Sequence, residues 1–201
     1  MSVTGTRAQA GEPRPMRADA QRNYARLLEA ASGAFAEHGA DDVSLEEIAR
    51  RASVGIGTLY RHFPTRQALL EAVYIDQVES LSARARELLR AESPADALAE
   101  WLRAMMKFSS TKRNMTTALL ATLGTDSELL SSCAKEIKGA AESLIARAQQ
   151  AGVVRADADA RDVIRLVHAV NIATEKAPDP GQADRMLALI LDGLRPSPGA
   201  S

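Results

Sequence analysis

Two short segments between residues 43 and 66 carry the side chains of this chain that are best suited to bind a nucleic acid. Helical spacing turns Ile48, Leu59 and Phe63 toward a common interior and leaves small and polar side chains outward. Such hydroxyl and basic groups can bond base edges or phosphate oxygens. Two short helices around a tight turn form a helix-turn-helix, whose second helix enters the DNA major groove. The predicted DNA-contacting residues are Ser44, Gly57, Thr58, Tyr60, His62 and Arg66.

Patterns typical of catalysis are missing from the sequence. It contains no nucleophile beside a base, no carboxylate pair at a fixed spacing, no phosphate-binding loop and no cluster of metal ligands. The histidines, His38, His62 and His168, lie in separate segments. We therefore predict no catalytic residue, no metal site and no cofactor. One alternative stays open, namely a helical enzyme or small-molecule-binding protein without a DNA function.

The composition favours a helical protein. Of 201 residues, 46% are hydrophobic but only 3% are aromatic, which disfavours strand-rich sandwiches and barrels. Ala, Leu, Arg and Glu dominate, and these are strong helix formers. The single cysteine excludes a disulfide framework and a cysteine-based zinc site. Because the sequence shows neither a signal peptide nor an apolar run near ~18 residues, we expect a soluble, cytoplasmic protein with no membrane partner.

The charge of the chain limits the ways in which it can hold DNA. The formal net charge is −1, and residues 17–66 contain seven arginines and seven acidic residues. A DNA architectural protein that ignores sequence needs a broadly basic surface, so that class is disfavoured. Affinity for DNA must come from the local placement of a few groups and from dimerisation.

Apolar periodicity and capping residues predict an all-α chain of about nine helices, with an N-terminal three-helix helix-turn-helix domain and a C-terminal helical domain. Ser44 and Glu47 form a capping box at the start of the second helix. We divide the chain into a disordered tail (1–16), the DNA-binding domain (17–66), the ligand-binding and dimerisation domain (67–195) and a second disordered tail (196–201). The first predicted helix begins between residues 18 and 24. The nine predicted helices end near residues 38, 52, 63, 91, 108, 123, 151, 176 and 194.

The stretch from Val43 to Phe63, followed by Pro64-Thr65-Arg66 and Ala68-Leu69, resembles the DNA-binding domain of the TetR (tetracycline-repressor-like) family. The resemblance covers about residues 20–73, roughly a third of the chain. It implies an all-helical homodimer, a palindromic double-stranded DNA operator and a C-terminal domain that binds a small-molecule effector. By position, it implies DNA contacts from Ser44, Gly55, Thr58, Tyr60, His62 and Arg66.

Three positions depart from the family pattern. Ser53 stands where the turn usually has glycine, so a left-handed backbone there would cost ~1 kcal/mol. Gly55 stands where serine or threonine usually caps the recognition helix, and Arg66 stands where lysine is usual.

The C-terminal part of the chain predicts a binding cavity for a largely hydrophobic effector. Apolar side chains outnumber polar ones there, although plain core packing explains the same residues. A lone buried cysteine usually behaves as a small hydrophobic residue, and the polar pair on the penultimate helix can be a structural pair. The candidate effector-binding residues are Trp101, Met105, Phe108, Asn114, Thr117, Cys133, His168 and Asn171.

The last two predicted helices are apolar on more than one face. A helix that is apolar all round is buried on all sides, and a second subunit is the simplest way to cover two such helices at the end of a chain of this size. The candidate dimerisation residues are Val163, Val167, Val170, Leu187, Ile190 and Leu194. Together these patterns predict a ligand-responsive transcriptional regulator, most often a repressor in the family that it resembles.

Overall fold

The computed structural model describes residues 14–196, except positions 41, 125, 176 and 180, and describes no side chain at residues 14–17 and 110–114. Within these limits the chain forms eight α-helices and no strand, which confirms the all-α prediction. The helices are α1 (Arg14–His38), α2 (Leu45–Arg51), α3 (Ile56–His62), α4 (Arg66–Leu88), α5 (Pro94–Leu123), α6 (Glu128–Gln150), α7 (Ala160–Thr174) and α8 (Gln182–Gly193). None of the described helices is both long and apolar enough to span a bilayer.

The first three helices form one packed unit. Leu27 and Phe35 of α1, Ile48 of α2 and Leu59 of α3 are buried, as the helical spacing predicts. With seven residues each, α2 and α3 are too short to be stable helices on their own. Their stability therefore comes from burying these side chains against α1.

Helix α4 connects this unit to the rest of the protein. The hydroxyl of Thr65 accepts a hydrogen bond from the amide of Ala68 at 3.0 Å and caps the start of α4. The helix then packs against α1 as well as against α5 and α6. Near its far end, the indole N–H of Trp101 donates to the carbonyl of Leu81 at 3.1 Å. The guanidinium of Arg147 donates to the carbonyl of Leu88, which ties the end of α4 to α6.

Helix α5 differs from the sequence-based expectation. The two helices predicted up to residues 108 and 123 form one continuous helix of 30 residues. Pro94 occupies the first turn of α5, and the rest of this helix contains no glycine and no further proline. Met105 and Met115, on either side of the polar stretch 109–114, are both buried in the same core. Packing at both ends thus overrides the weak helix propensity of the polar stretch.

The ends of the chain also differ in part from the expectation. Helix α1 begins at Arg14 and so includes three residues of the predicted tail 1–16. The remainder of that tail and residues 197–201 lie outside the described residues. The start of α6 is capped by Ser127, whose hydroxyl accepts from the amide of Leu130.

The turn between α2 and α3 contains a serine with left-handed backbone geometry. Ser53 has φ +51° and is the only residue other than glycine with a positive φ among the described residues. The amide of Ser53 donates to the carbonyl of Arg50 at 3.0 Å, and the amide of Val54 donates to that of Ala49 at 2.9 Å. These two bonds form a Schellman motif, which usually has glycine in the left-handed position.

We predict that Ser53→Gly raises the free energy of unfolding by ~1 kcal/mol, because glycine adopts the left-handed conformation without a steric cost. Chemical denaturation followed by circular dichroism measures the change. Ser80→Gly, on the exposed surface of α4, is the matched control and should lower the same quantity by about 0.5 kcal/mol. A destabilising effect of Ser53→Gly would contradict the account of the turn.

Candidate nucleic-acid interface

The exposed surface of α3 carries most of the predicted DNA-contacting residues. Tyr60 is 45% exposed, and Thr58 is partly exposed beside it. A side chain built at Gly57 would meet no atom within 4 Å, so the helix surface is open at this point. Inward, Leu59 and Phe63 are buried and hold α3 in place. The structure therefore brings Gly57, Thr58 and Tyr60 together on one accessible helical face.

His62 lies at the edge of that face, against an aromatic cluster. Its ring is half-buried and meets the ring of Tyr24 edge to face, with centroids 5.8 Å apart. Tyr24 also stacks on Phe63 at 5.1 Å. Burial, followed by the negative charges of Asp76 and Glu79, raises the pKa of Tyr24. The cluster fixes the His62 ring between α1 and the end of α3.

Ser44 and Gly55 stand at the starts of the two short helices. The hydroxyl of Ser44 accepts from the amide of Glu47 at 3.1 Å, which is one of the two hydrogen bonds of the predicted capping box. The Glu47 carboxylate bonds Arg51 at 2.9 Å, so this carboxylate also stabilises the last turn of α2. Gly55 precedes α3 with an extended backbone and provides no side-chain cap. Both residues are exposed.

Arg66 has a different environment from the other predicted contacts. Its guanidinium is half-buried and donates to the backbone carbonyls of Ala40 and Val43. These bonds tie the turn between α1 and α2 to the first residue of α4. Arg66 is therefore a positioning residue for this turn, and its contact with a phosphate stays a prediction. Sequence alone does not show which carbonyl groups lie within reach of a long side chain.

Arg61 also lies on this surface, although the DNA-contacting residues predicted from the sequence do not include it. It is exposed on α3, and its guanidinium lies along the helix, with Nη2 donating to the hydroxyl of Thr58 at 2.8 Å. Arg51, by contrast, bonds the carboxylates of Glu37 and Glu47 at 2.6 and 2.9 Å. The sequence signal that could have identified Arg61 is its position in the middle of the outward helical face.

The predicted effector-binding residues are not gathered around one cavity. Trp101, Met105, Phe108 and Cys133 are buried core residues of α5 and α6. Thr117 is exposed, His168 is half-buried on α7, and the side chain of Asn114 lies outside the described ones.

Asn171 borders a surface cavity of about 720 Å³ between α5, α7 and α8. Its amide donates to the carbonyl of Met106 at 3.2 Å. Charged side chains from α5 and α8, including Arg103, Lys107 and Asp184, line the same cavity. This groove is thus more polar than the effector site that the sequence predicts.

Most of the predicted dimerisation residues face the interior of their own subunit. Val163, Val167, Val170, Leu187 and Leu194 are buried, and Ile190 is partly exposed. A side chain that is buried in its own subunit cannot be the surface that a second subunit covers, so the predicted dimer contacts are wrong at these five buried positions. Apolar side chains on the opposite faces are exposed instead, namely Leu166 (49%), Ile172 (65%) and Leu189 (72%). Periodicity showed two apolar faces but not which one belongs to the core.

Comparison with known proteins identifies the family. Residues 27–73 match the model of bacterial regulatory proteins of the tetR family, and residues 93–196 match the C-terminal domain of SbtR-like transcriptional regulators. The chain belongs to the TetR family of transcriptional regulators. The helix-turn-helix resemblance seen in the sequence is thereby confirmed, and the second match extends it over the C-terminal helices.

Solved structures of other TetR-family regulators share this fold over most of the chain. A TetR regulator from Streptomyces coelicolor is 36% identical, with a TM-score of 0.78, and the match covers 87% of this chain and 99% of that one. A TetR regulatory protein from Mycobacterium vanbaalenii is 39% identical, with a TM-score of 0.73 and coverage of 90% and 99%. Among curated relatives, the HTH-type transcriptional regulator UidR of Escherichia coli is 36% identical over 72 residues. That match covers 36% of this chain and 37% of UidR, so the chain spans only a little over a third of the length of this relative.

We predict that Arg66→Met lowers the free energy of unfolding of this TetR-family protein by ~2 kcal/mol, because two turn carbonyls lose a charged donor. Thermal or chemical unfolding measures the loss. Arg50→Met is the matched control, since Arg50 is 78% exposed and lies 3.9 Å from its partner Glu47; its effect should stay within about 0.5 kcal/mol. Equal effects of the two changes would argue against the positioning role.

Proposed function

We propose that this protein is a transcriptional repressor that binds a palindromic operator as a homodimer and is released by a small, largely hydrophobic effector. The observation that carries the proposal is the open face of α3, where Gly57, Thr58 and Tyr60 are accessible together. A helix-turn-helix presents such a face to base edges in the major groove. One curated relative, an HTH-type transcriptional repressor of Mycobacterium tuberculosis, is 38% identical over 74 residues, which supports repression as the direction of control.

The DNA-binding part of the proposal is tested by Gly57→Gln. Because nothing lies within 4 Å of a side chain at this position, and glutamine favours helix more than glycine does, the free protein should be as stable as the wild type or more so. On DNA the added side chain would stand between α3 and the groove, so affinity should fall at least tenfold. Fluorescence anisotropy with the DNA that flanks the protein's own coding region measures this.

Gly139→Gln provides the matched control, since Gly139 in α6 is equally free of neighbours within 4 Å. It should leave DNA affinity unchanged. If Gly57→Gln binds that DNA as tightly as the control does, α3 is not the surface that meets DNA.

Dimerisation is proposed through the outer faces of α7 and α8. Leu166 and Ile172 of α7 are exposed, as is Leu189 of α8, and Ile190 is partly exposed beside it. A second copy related by a twofold axis would cover both faces with one self-complementary contact. Such a dimer would place its two recognition helices ~34–36 Å apart, the spacing of successive major grooves on one side of the duplex.

We predict that Leu189→Arg and Ile172→Arg each convert the protein to monomers that keep their helix content. Sedimentation or light scattering with circular dichroism separates this outcome from unfolding. Leu187→Arg should instead unfold the protein, because Leu187 is buried in its own subunit. Wild-type protein that is monomeric at micromolar concentration would overturn the proposed dimer.

The effector is proposed to bind among α4, α5 and α6. Tyr74 of α4 and Cys133 of α6 are buried there with apolar residues of α5 such as Met105 and Phe108. Burial in this region raises the pKa of Tyr74. The hydroxyl of Ser109 is buried with no hydrogen-bond partner among the described residues. An apolar region with a few polar groups fits a mainly hydrophobic ligand that carries one or two hydrogen-bonding groups.

We predict that compounds that stabilise the protein in a thermal-shift screen of apolar small molecules bind more weakly in the presence of operator DNA. Reciprocity requires that ligand and DNA weaken each other by the same factor, typically ~5- to 150-fold. Titration calorimetry of each compound, with and without operator, measures the two affinities. Equal affinities would mean that the compound does not control DNA binding.

A further inference from the structure

The middle of the outward face of α3 is occupied by Arg61. Successive helical residues are rotated by about 100°, so Arg61 lies almost opposite the buried side chains of Leu59 and Phe63. Thr58 and Tyr60 stand on either side of it. The N-terminal residues of a recognition helix contact base edges in the major groove, and Arg61 belongs to the last turn of α3. Its side chain, however, runs back along the helix to Gly57 and Thr58 and so brings the guanidinium to the N-terminal half of α3.

Hydrogen bonds hold the Arg61 side chain in one position on this face. Nε donates to the carbonyl of Gly57 at 3.2 Å, and Nη2 donates to the hydroxyl of Thr58 at 2.8 Å. A guanidinium has five N–H donors, so these bonds leave donors on both terminal nitrogens for another partner. An arginine side chain that is mobile in the free protein loses conformational entropy when it binds DNA. For Arg61, part of this loss has already occurred in the free protein.

Neighbouring arginines are engaged elsewhere. Arg51 bonds the carboxylates of Glu37 and Glu47, and Arg66 bonds the carbonyls of Ala40 and Val43. Arg61 thus combines an accessible position on the recognition helix with a guanidinium that is held in place without a carboxylate partner among the described residues.

We propose that Arg61 recognises a guanine in the major groove and that the Thr58 hydroxyl positions its guanidinium for this contact; the inference rests on the proposed DNA-binding function. Guanine presents two acceptors side by side in the major groove, O6 and N7, and a guanidinium matches them with two parallel N–H groups. Thr58 then acts through Arg61 and is a positioning residue, where the sequence suggested that it contacts a base itself.

The experiment first selects the wild-type site from a randomised duplex library by repeated binding and sequencing. It then replaces each guanine that the site requires with 7-deazaguanine, one half-site at a time. This base lacks the N7 acceptor but pairs normally. At one guanine position, the replacement should weaken wild-type binding at least fivefold. The same replacement should weaken binding of Arg61→Ala less than twofold.

Arg61→Lys separates recognition from charge. Lysine keeps the positive charge but not the planar fork, so the salt dependence of binding should match that of the wild type. Discrimination at the same guanine should fall by ~5- to 150-fold, the range for loss of a bidentate contact. If Arg61→Lys discriminates as well as the wild type does, the inference is overturned.

Two changes at Thr58 test the positioning role. Thr58→Ser keeps the hydroxyl and loses the methyl group, whereas Thr58→Val does the reverse. The serine variant should keep the guanine preference and the valine variant should lose most of it. The opposite order would show that the Thr58 methyl group contacts DNA directly and that the hydroxyl positions nothing.

The outcomes distinguish this inference from the function on which it rests. A wild-type protein that selects no sequence would contradict the proposed function itself. A wild-type protein that selects a site, but whose 7-deazaguanine sensitivity is the same with Arg61→Ala, would contradict only the guanine contact.

Discussion

Helix α4 is shared by two packed regions, and the positions of all the proposed functional surfaces depend on it. Its first residues are tied to the turn between α1 and α2 through Arg66, and its last turns are tied to α5 through Trp101 and to α6 through Arg147. Because close-packed helices transmit strain and do not absorb it, a displacement of α5 or α6 reaches α4. Helix α2 of the helix-turn-helix packs on α1, and α1 packs on α4, so a change in α4 can reach the helix-turn-helix through α1.

Two arginines near the helix-turn-helix, Arg51 and Arg66, stabilise the protein itself. Arg51 holds α1 and α2 together through Glu37 and Glu47, and Arg66 satisfies two carbonyl groups of a turn. This explains how a domain with equal numbers of arginines and acidic residues is compatible with DNA binding. The charges that would meet DNA are few, so their placement on α3 decides affinity and sequence preference more than total charge does.

Local rules predicted the local features of the fold. The Ser44 cap and the inward residues of α2 and α3 follow from interactions within a few residues. The left-handed backbone at Ser53 follows from the resemblance, which places a glycine at this turn. Features set by distant contacts could not be predicted in this way. The continuity of α5 depends on burial at both of its ends. The role of Arg66 depends on carbonyls 23 and 26 residues away. Likewise, periodicity gave two apolar faces on α7 and α8, and only the packing of the subunit shows that Val167 and Leu187 face its core.

Helices α4 and α5 each contain a buried hydroxyl group with which a ligand could form a hydrogen bond. Ser82 of α4 and Ser109 of α5 each carry a buried hydroxyl with no hydrogen-bond partner among the described residues. An unpaired buried polar group costs ~1–3 kcal/mol. A ligand that bonds such a group recovers this energy only in the arrangement of α4 and α5 that allows the bond. The recovered energy is of the same size as a typical coupling between two sites, ~1–3 kcal/mol. One hydrogen bond made to α4 is therefore enough, in the proposed scheme, to change the population of the DNA-binding arrangement by a measurable factor.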